Sequence, residues 1–139
     1  MRYEYTRCKY IHSAYNGEVK HSDLPDPETL LPLQPAAFHI LLALGAGDRH
    51  GYAIIQDVAR RTQNQLRLGA GTLYRSLQRM LEQGLIVEIA EPAETDRDDE
   101  RRRYYRITPY GESVARAEAR RLTELVRLAR ASGFAPEKA

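Results

Sequence analysis

The residues best suited to act on another molecule lie in one short run, Gly69 to Ile86, GAGTLYRSLQRMLEQGLI. On a helical wheel Leu73, Leu77, Met80 and Leu81 fall together, which is the pattern of a buried stripe. Arg75, Gln78, Arg79 and Glu82 lie opposite, with Thr72 and Tyr74 on the two flanks. Arg and Gln can pair two hydrogen bonds with a base edge, while Thr and Tyr hydroxyls can hold phosphates. An ordinary surface helix also carries Arg, Gln and Glu on its solvated face, so the run alone leaves both readings open. Its entrance, Gly69-Ala70-Gly71, allows backbone to come close to something without a Cβ in the way. Its exit, Gly84-Leu85, fits a left-handed cap with an apolar contact back onto the last turn.

Composition narrows the chemistry. A chain of 139 residues is long enough for one modest core and too short for two. A net charge of only +2 means that any positive surface must be local. The one cysteine, Cys8, leaves no internal disulfide and no thiol pair for zinc, and Cys8 with His12 is too small a ligand set for a metal. No apolar run approaches the roughly 20 residues needed to cross a bilayer, and the N-terminus lacks a signal-peptide core. A cytoplasmic protein without membrane contact is the expectation. His12, His21, His39 and His50 sit near no paired carboxylate or nucleophile motif, and no Gly-rich phosphate loop follows a strand. The sequence therefore argues against an enzyme and implies no cofactor and no metal.

The elements that must position the central run can be read in chain order. Residues 1–22, rich in tyrosine, could form an edge strand ending at Asn16-Gly17, but they have no matching second strand and read as a tail. Pro25, Pro27, Pro32 and Pro35 forbid a regular helix and imply an extended lead-in, so residues 1–34 are expected to be flexible. Pro35 opens a helix whose Phe38, Ile40, Leu41, Leu42 and Leu44 form a broad buried surface, with His39 at the core or its boundary. After a turn at Asp48-Arg49, a second helix runs from about His50 to Thr62, burying Ile54 or Ile55 with Val58 and Ala59. At its start Tyr52 either packs in the core or offers its phenol to a phosphate beside the backbone N–H groups.

Gln65 to Leu68 alternates as a brief strand should and leads into the central run. Leu85 to Ala90 and Arg101 to Ile107 then read as a hairpin. Between them Glu91 to Glu100 makes a polar wing. Its acidic tip is repelled by phosphate, which leaves Arg97, Arg101, Arg102 and Arg103 as the wing contacts. The acids lack the Gly and distal Glu of a calcium loop and read as a solvated turn. The order predicts an α+β, mostly helical fold, a winged helix-turn-helix over residues 35–108.

Thr108-Pro109 caps and opens a last helix that can run to about Ser132 before Gly133. Within residues 109–134, Ala115, Ala119, Leu122, Val126 and Ala129 follow a four-three spacing with Leu125 and Leu128 alongside, a coiled-coil-like seam. A helix this long extends about 35 Å, farther than so small a domain can cover. Packing on the winged domain suits one face and a second copy of the chain suits another.

From Leu30 to Phe134 the sequence resembles the PadR family of transcriptional regulators, the phenolic-acid-responsive type. The matching pieces are FHILLALGAGDRHGYAI, LGAGTLYRSLQRMLEQGLI and DDERRRYYRITPYGE, the last two being specific together. The resemblance implies a winged-helix homodimer, joined through its C-terminal helix, that represses nearby genes. It matches Tyr52, Thr72, Tyr74 and Arg75 to positions that meet DNA. It also suggests a small hydrophobic or aromatic effector at the dimer interface, although this chain has no tryptophan to stack one. Two positions depart from the family pattern: Ala70, where many members have proline, and Arg75, where many have proline or a small residue. The first 22 residues have no counterpart.

The expected function is a sequence-specific regulator of double-stranded DNA, a repressor on a palindromic operator. The alternative is a winged-helix protein-interaction module without DNA binding.

Overall fold

A computed structural model describes residues 23–90 and 103–136. The N-terminal tail and the wing tip, with Arg97, Arg101 and Arg102, lie outside the described residues.

Among the described residues, four helices accompany a small sheet: α1 (Pro35–Gly45), α2 (Gly51–Arg61), α3 (Ala70–Gln83) and α4 (Pro109–Ala131). Pro35 opens α1, where its missing N–H costs nothing because the first turn has no partner for it. Ile40, Leu41, Ala43 and Leu44 are buried, but Leu42 is exposed and Phe38 only half-buried, so the apolar face of α1 is narrower than its composition implies. His39 lies half-buried at the boundary. In α2 the buried isoleucine is Ile54, with Ile55 packed at the edge. The His50 ring caps that helix, Nδ1 accepting from the Ala53 N–H at 3.1 Å.

The sheet departs from expectation. Its third strand is not Gln65 to Leu68 but β1 (Arg49–His50), where the sequence suggested a turn and a helix start. β1 pairs antiparallel with β3 (Tyr104–Ile107), Arg49 opposite Tyr105 and His50 opposite Tyr104. β2 (Ile86–Ile89) pairs with the other edge of β3, giving the order β1-β3-β2. The alternation in Gln65 to Leu68 has another origin. Leu66 and Leu68 both touch the core, but from a loop: the Leu66 N–H goes to Thr62 Oγ1 at 3.1 Å rather than to a strand. Gln63 and Asn64 turn the chain there with φ of 53° and 65°.

α3 forms as its stripe demands, Leu73, Leu77, Met80 and Leu81 each at most 5% exposed. It begins at Ala70 with Gly69 as N-cap, so Gly71 is helical and the entrance is shorter than a Gly-Ala-Gly turn. A Cβ on Gly69 would meet nothing, so no part of the described chain crowds this helix start. At the other end Gly84 takes φ 80°, with Gly84 N–H bonded to Leu81 O and Leu85 N–H to Met80 O. That pair of bonds satisfies carbonyls the helix end would otherwise strand.

Thr108 is the joint between α3, the sheet and α4. Its hydroxyl donates to Gly84 O at 2.7 Å and accepts from Gly111 N–H at 2.9 Å, and its own N–H bonds Leu85 O at 3.0 Å. The first half of α4 buries Tyr110, Gly111, Val114, Ala117 and Glu118 against its own domain. Residues 23–34, expected to be flexible, are packed instead. A 3₁₀ turn at Pro27–Leu30 brings Leu24, Leu30, Leu31 and Leu33 onto the core. The Tyr110 hydroxyl donates to Pro25 O at 2.7 Å, and Leu33 N–H reaches Glu118 Oε2 at 3.4 Å. The prolines do rule out a regular helix, but the leucines between them bury area that an isolated extended strand would leave wet.

Two buried acids tie the frame together. Asp57, 1% exposed, is met by Arg60, by Arg61 Nε at 2.6 Å and by Arg49 at 3.5 Å, joining α2 to β1. Burial pushes its carboxyl up, but the Arg61 hydrogen bond and the charges of Arg49, Arg61 and Arg60 outweigh it, leaving it below 3.8. The Arg121 hydrogen bond lowers the Glu118 carboxyl against the opposing effect of burial, helped by the Arg121 charge and the Leu33 N–H, to below 4.5.

Both groups bind a proton less readily folded than unfolded. Their stabilisation is complete above the unfolded values and is lost as pH falls through the folded ones. The melting temperature should hold from about pH 7 to about pH 5 and decline below about pH 4. Asp57→Asn should cost about 1–3 kcal/mol at neutral pH and flatten that acid decline. Melting curves of both proteins across the range check this, and an unchanged acid slope in Asp57→Asn would remove Asp57 from the account.

Candidate nucleic-acid interface

The stripe that buries one side of α3 forces the other side outward. Thr72, Tyr74, Arg75, Gln78 and Arg79 are all exposed, as the helical wheel implies. Gln78 is steadied from the next turn, its Nε2 donating to Glu82 Oε2 at 3.1 Å. Arg75 folds back toward the helix start, where its Nη1 would lie 3.3 Å from a Cβ placed on Gly71.

Tyr74 links three elements. Its hydroxyl lies against Gly51 at the start of α2, so closely that a Cβ on Gly51 would overlap it. Tyr52, next in sequence, is 58% exposed, which removes core packing as its role and leaves the phenol at the surface beside the helix N-terminus. On its other side Tyr74 lines a groove of about 580 Å³ between α3 and the β2–β3 hairpin. Leu77 and Leu81 supply the apolar part of that groove and Gln78 shares the α3 rim. The hairpin contributes Glu88, Arg103 and Tyr105.

Of the wing residues singled out in the sequence, Arg103 is the one described. Its side chain is 59% exposed, with Nε 3.5 Å from Glu88 Oε2. Glu88 and Tyr105 stand opposite each other in the strand register and are both buried. Burial, with the neighbouring Glu88 and Tyr74, pushes the Tyr105 phenol up to about 12, against the pull of Arg103. Glu88 was not anticipated as a site residue. The signal available was a lone acid between Val87 and Ile89 in a strand whose four residues are all buried, since Glu is rarely buried without a partner.

The dimerisation residues divide along α4. Ala115 packs on the chain's own core. Farther out Leu122 and Ala129 are half-buried, Ala119 is exposed, and Leu125 and Val126 are 47% and 42% exposed. Among the described residues no group of three or more His, Cys, Asp or Glu is placed to hold a metal, and no helix is long and apolar enough to cross a membrane.

A helical core, a β-hairpin beside it and an outward-facing third helix define a winged helix-turn-helix protein. Comparison with known proteins places it further. The model of the PadR-like family of transcriptional regulators matches residues 40–117, more than half the chain, and the protein belongs to that family. That family is one of transcriptional regulators rather than enzymes.

The chain is 34% identical over 89 residues to a transcriptional regulator of Mycobacterium tuberculosis, covering 64% of this chain and 77% of that one. It is 36% identical over 81 residues to an uncharacterized protein of Lysinibacillus sphaericus, covering 58% of this chain and 64% of the relative's length. Among solved structures it is similar to a transcriptional regulator from Clostridium thermocellum, with a TM-score of 0.59 and 27% identity over 68% of this chain and 86% of that one. A PadR family regulator from Clostridium difficile shares the fold, with a TM-score of 0.60 at 23% identity, covering 70% of this chain and 96% of that one.

Proposed function

We propose that this regulator is a repressor that binds a palindromic operator as a homodimer. In this reading α3 enters the major groove, and Thr72, Tyr74, Arg75, Gln78 and Arg79 meet bases and phosphates. Tyr52 at the start of α2 and the wing arginines, Arg97, Arg101, Arg102 and Arg103, hold flanking backbone. The distal seam of α4, Ala119 to Ala129, joins the two copies, and a small hydrophobic or aromatic molecule is the effector. Residues 1–34, residues 35–108 and residues 109–134 are the corresponding functional divisions.

The observation that carries this reading is the placement of Tyr74. It touches the N-terminus of α2 and shares one groove with Arg103 of the hairpin, so helix start, reading helix and wing root surround the same surface. A surface helix that only solvates the fold has no reason to bring these groups together.

Bound fragments selected from the source genome would supply the operator, and titrating it beside a scrambled duplex at several salt concentrations tests the roles. Removing a paired base contact costs about 1–3 kcal/mol and relaxes preference at one position. Arg75→Ala or Gln78→Ala should therefore shrink the ratio of specific to nonspecific affinity by about tenfold or more. Arg103→Ala should leave that ratio nearly intact and lower the salt slope by about one unit. If Arg103→Ala loses discrimination while the α3 variants keep it, α3 is not the reader.

A further inference from the structure

A buried carboxylate on a surface that meets a polyanion is out of place on charge alone. Glu88 lies in the groove between α3 and the hairpin, its side chain 7% exposed. Simple electrostatics says that it should repel phosphate and that DNA would bind better without it. Its surroundings suggest a different use. Glu88 faces Tyr105 across the strand pair, and its Oε2 lies 3.5 Å from Arg103 Nε. Arg103 stands at the wing root, one residue before β3, and more than half of its side chain is in solvent.

An arginine presents five N–H donors in a rigid fork, so one edge can be held by a carboxylate while another is offered to a phosphate. Holding it also removes rotamer freedom before DNA arrives, which lowers the ordering cost of the contact. Tyr105 and Tyr74 border the same groove and limit where the guanidinium can go.

We propose that Glu88 is a positioning residue for DNA binding: it fixes the Arg103 guanidinium at the wing root for a phosphate, and its own negative charge is the lesser effect. The inference rests on the DNA-binding reading of the α3–wing face. It adds to that reading a residue whose removal should have the opposite sign from the one its charge implies.

The test needs no operator, because a phosphate contact is independent of sequence. Binding of a fluorescein-labelled duplex of arbitrary sequence is followed by anisotropy at several salt concentrations. The proteins are the full-length wild type, Glu88→Gln, Arg103→Ala, the double variant and Arg103→Lys. Glu88→Gln should weaken binding by about threefold to tenfold and lower the salt slope by up to about one unit, approaching Arg103→Ala.

Adding Glu88→Gln to Arg103→Ala should then weaken binding no further, because the acid acts on phosphate through the arginine. Arg103→Lys keeps the charge but not the fork, so it should weaken binding about as Glu88→Gln does while retaining most of the salt slope. It also serves if Glu88→Gln fails to fold. Tighter or equal binding by Glu88→Gln, effects of the two single changes that add, or wild-type binding by Arg103→Lys would each overturn the proposal. Failure of the wild type itself to bind the duplex at low salt would instead remove the DNA-binding reading.

Discussion

Gly111→Ala is expected to lower the melting temperature by about 10 °C or to prevent folding altogether. Propensity alone points the other way. Gly111 lies in the first turn of α4, and alanine is better than glycine inside a helix by about 1 kcal/mol. Contact decides the sign. A Cβ on Gly111 would overlap the carbonyl oxygen of Leu85, and it would lie 2.9 Å from Ile107 Cγ1 and 3.0 Å from the Leu85 carbonyl carbon. Backbone cannot swing aside as a flexible side chain can. The helix start would have to move off the sheet, stretching the bonds from Thr108 to Gly84 O and Leu85 O and from Gly111 N–H to Thr108 Oγ1. Overpacking of this kind costs about 1–3 kcal/mol, and the loss of the Thr108 joint adds to it. Gly45→Ala is the comparison. Gly45 ends α1 with nothing within 4 Å of a Cβ, so the same substitution there should be neutral or slightly stabilising. Thermal melts followed by circular dichroism separate the two. If Gly111→Ala melts as high as Gly45→Ala, the close crossing of α4 over Leu85 is not present in solution.

Which parts of this molecule could be read from sequence follows from how local their causes are. α3 was legible because a buried stripe and a terminal glycine both act within a few residues, and Gly84 does take φ 80°. The start of α4 was legible for the same reason, since Thr108 and Pro109 act on the turn they belong to. β1 was not. Two residues carry no periodicity, and Arg49–His50 is a strand only because β3, far along the chain, offers it an edge. The lead-in misled for a related reason. Prolines report local backbone angles, whereas the packing of Leu30 and Leu33 and the bond from Tyr110 to Pro25 are made by distant partners.

The candidate site divides along the same line. Exposure of Arg75 and Gln78 follows from the helical wheel alone. The two roles left open for Tyr52 needed the fold to separate them, because the start of α2 could as well have faced inward. Glu88 and Asp57 belong to the least legible group: burial of an acid is a tertiary fact, and the partners that make it tolerable come from other strands as well as from neighbouring turns. Asp57 had a local hint in Arg60 and Arg61, one turn farther on. Glu88 had none.

Leu125→Glu should convert the proposed dimer to monomers while leaving the protomer folded. α4 is 23 residues long, and the buried residues of its own domain end at Glu118. Beyond that point Leu125, Val126 and Leu128 are each 42–47% exposed, an apolar surface that the described chain does not cover. Glu124 and Arg127 flank it as an ion pair at 2.8 Å, the kind of charged border that accompanies a helix–helix seam. A carboxylate at position 125 would stand in solvent in the monomer and cost the fold little. In a symmetric dimer the same change places two carboxylates in one apolar seam, and removing them from water without partners costs several kcal/mol. A loss of about 3 kcal/mol corresponds to roughly a hundredfold in the dimer Kd. Light scattering at micromolar concentration should therefore give half the wild-type mass, with the helical circular dichroism signal retained. Affinity for a duplex with two half-sites should fall with it, because each reading helix would then bind alone. A Leu125→Glu protein that keeps the dimer mass would place the joint elsewhere and leave the distal half of α4 without a partner.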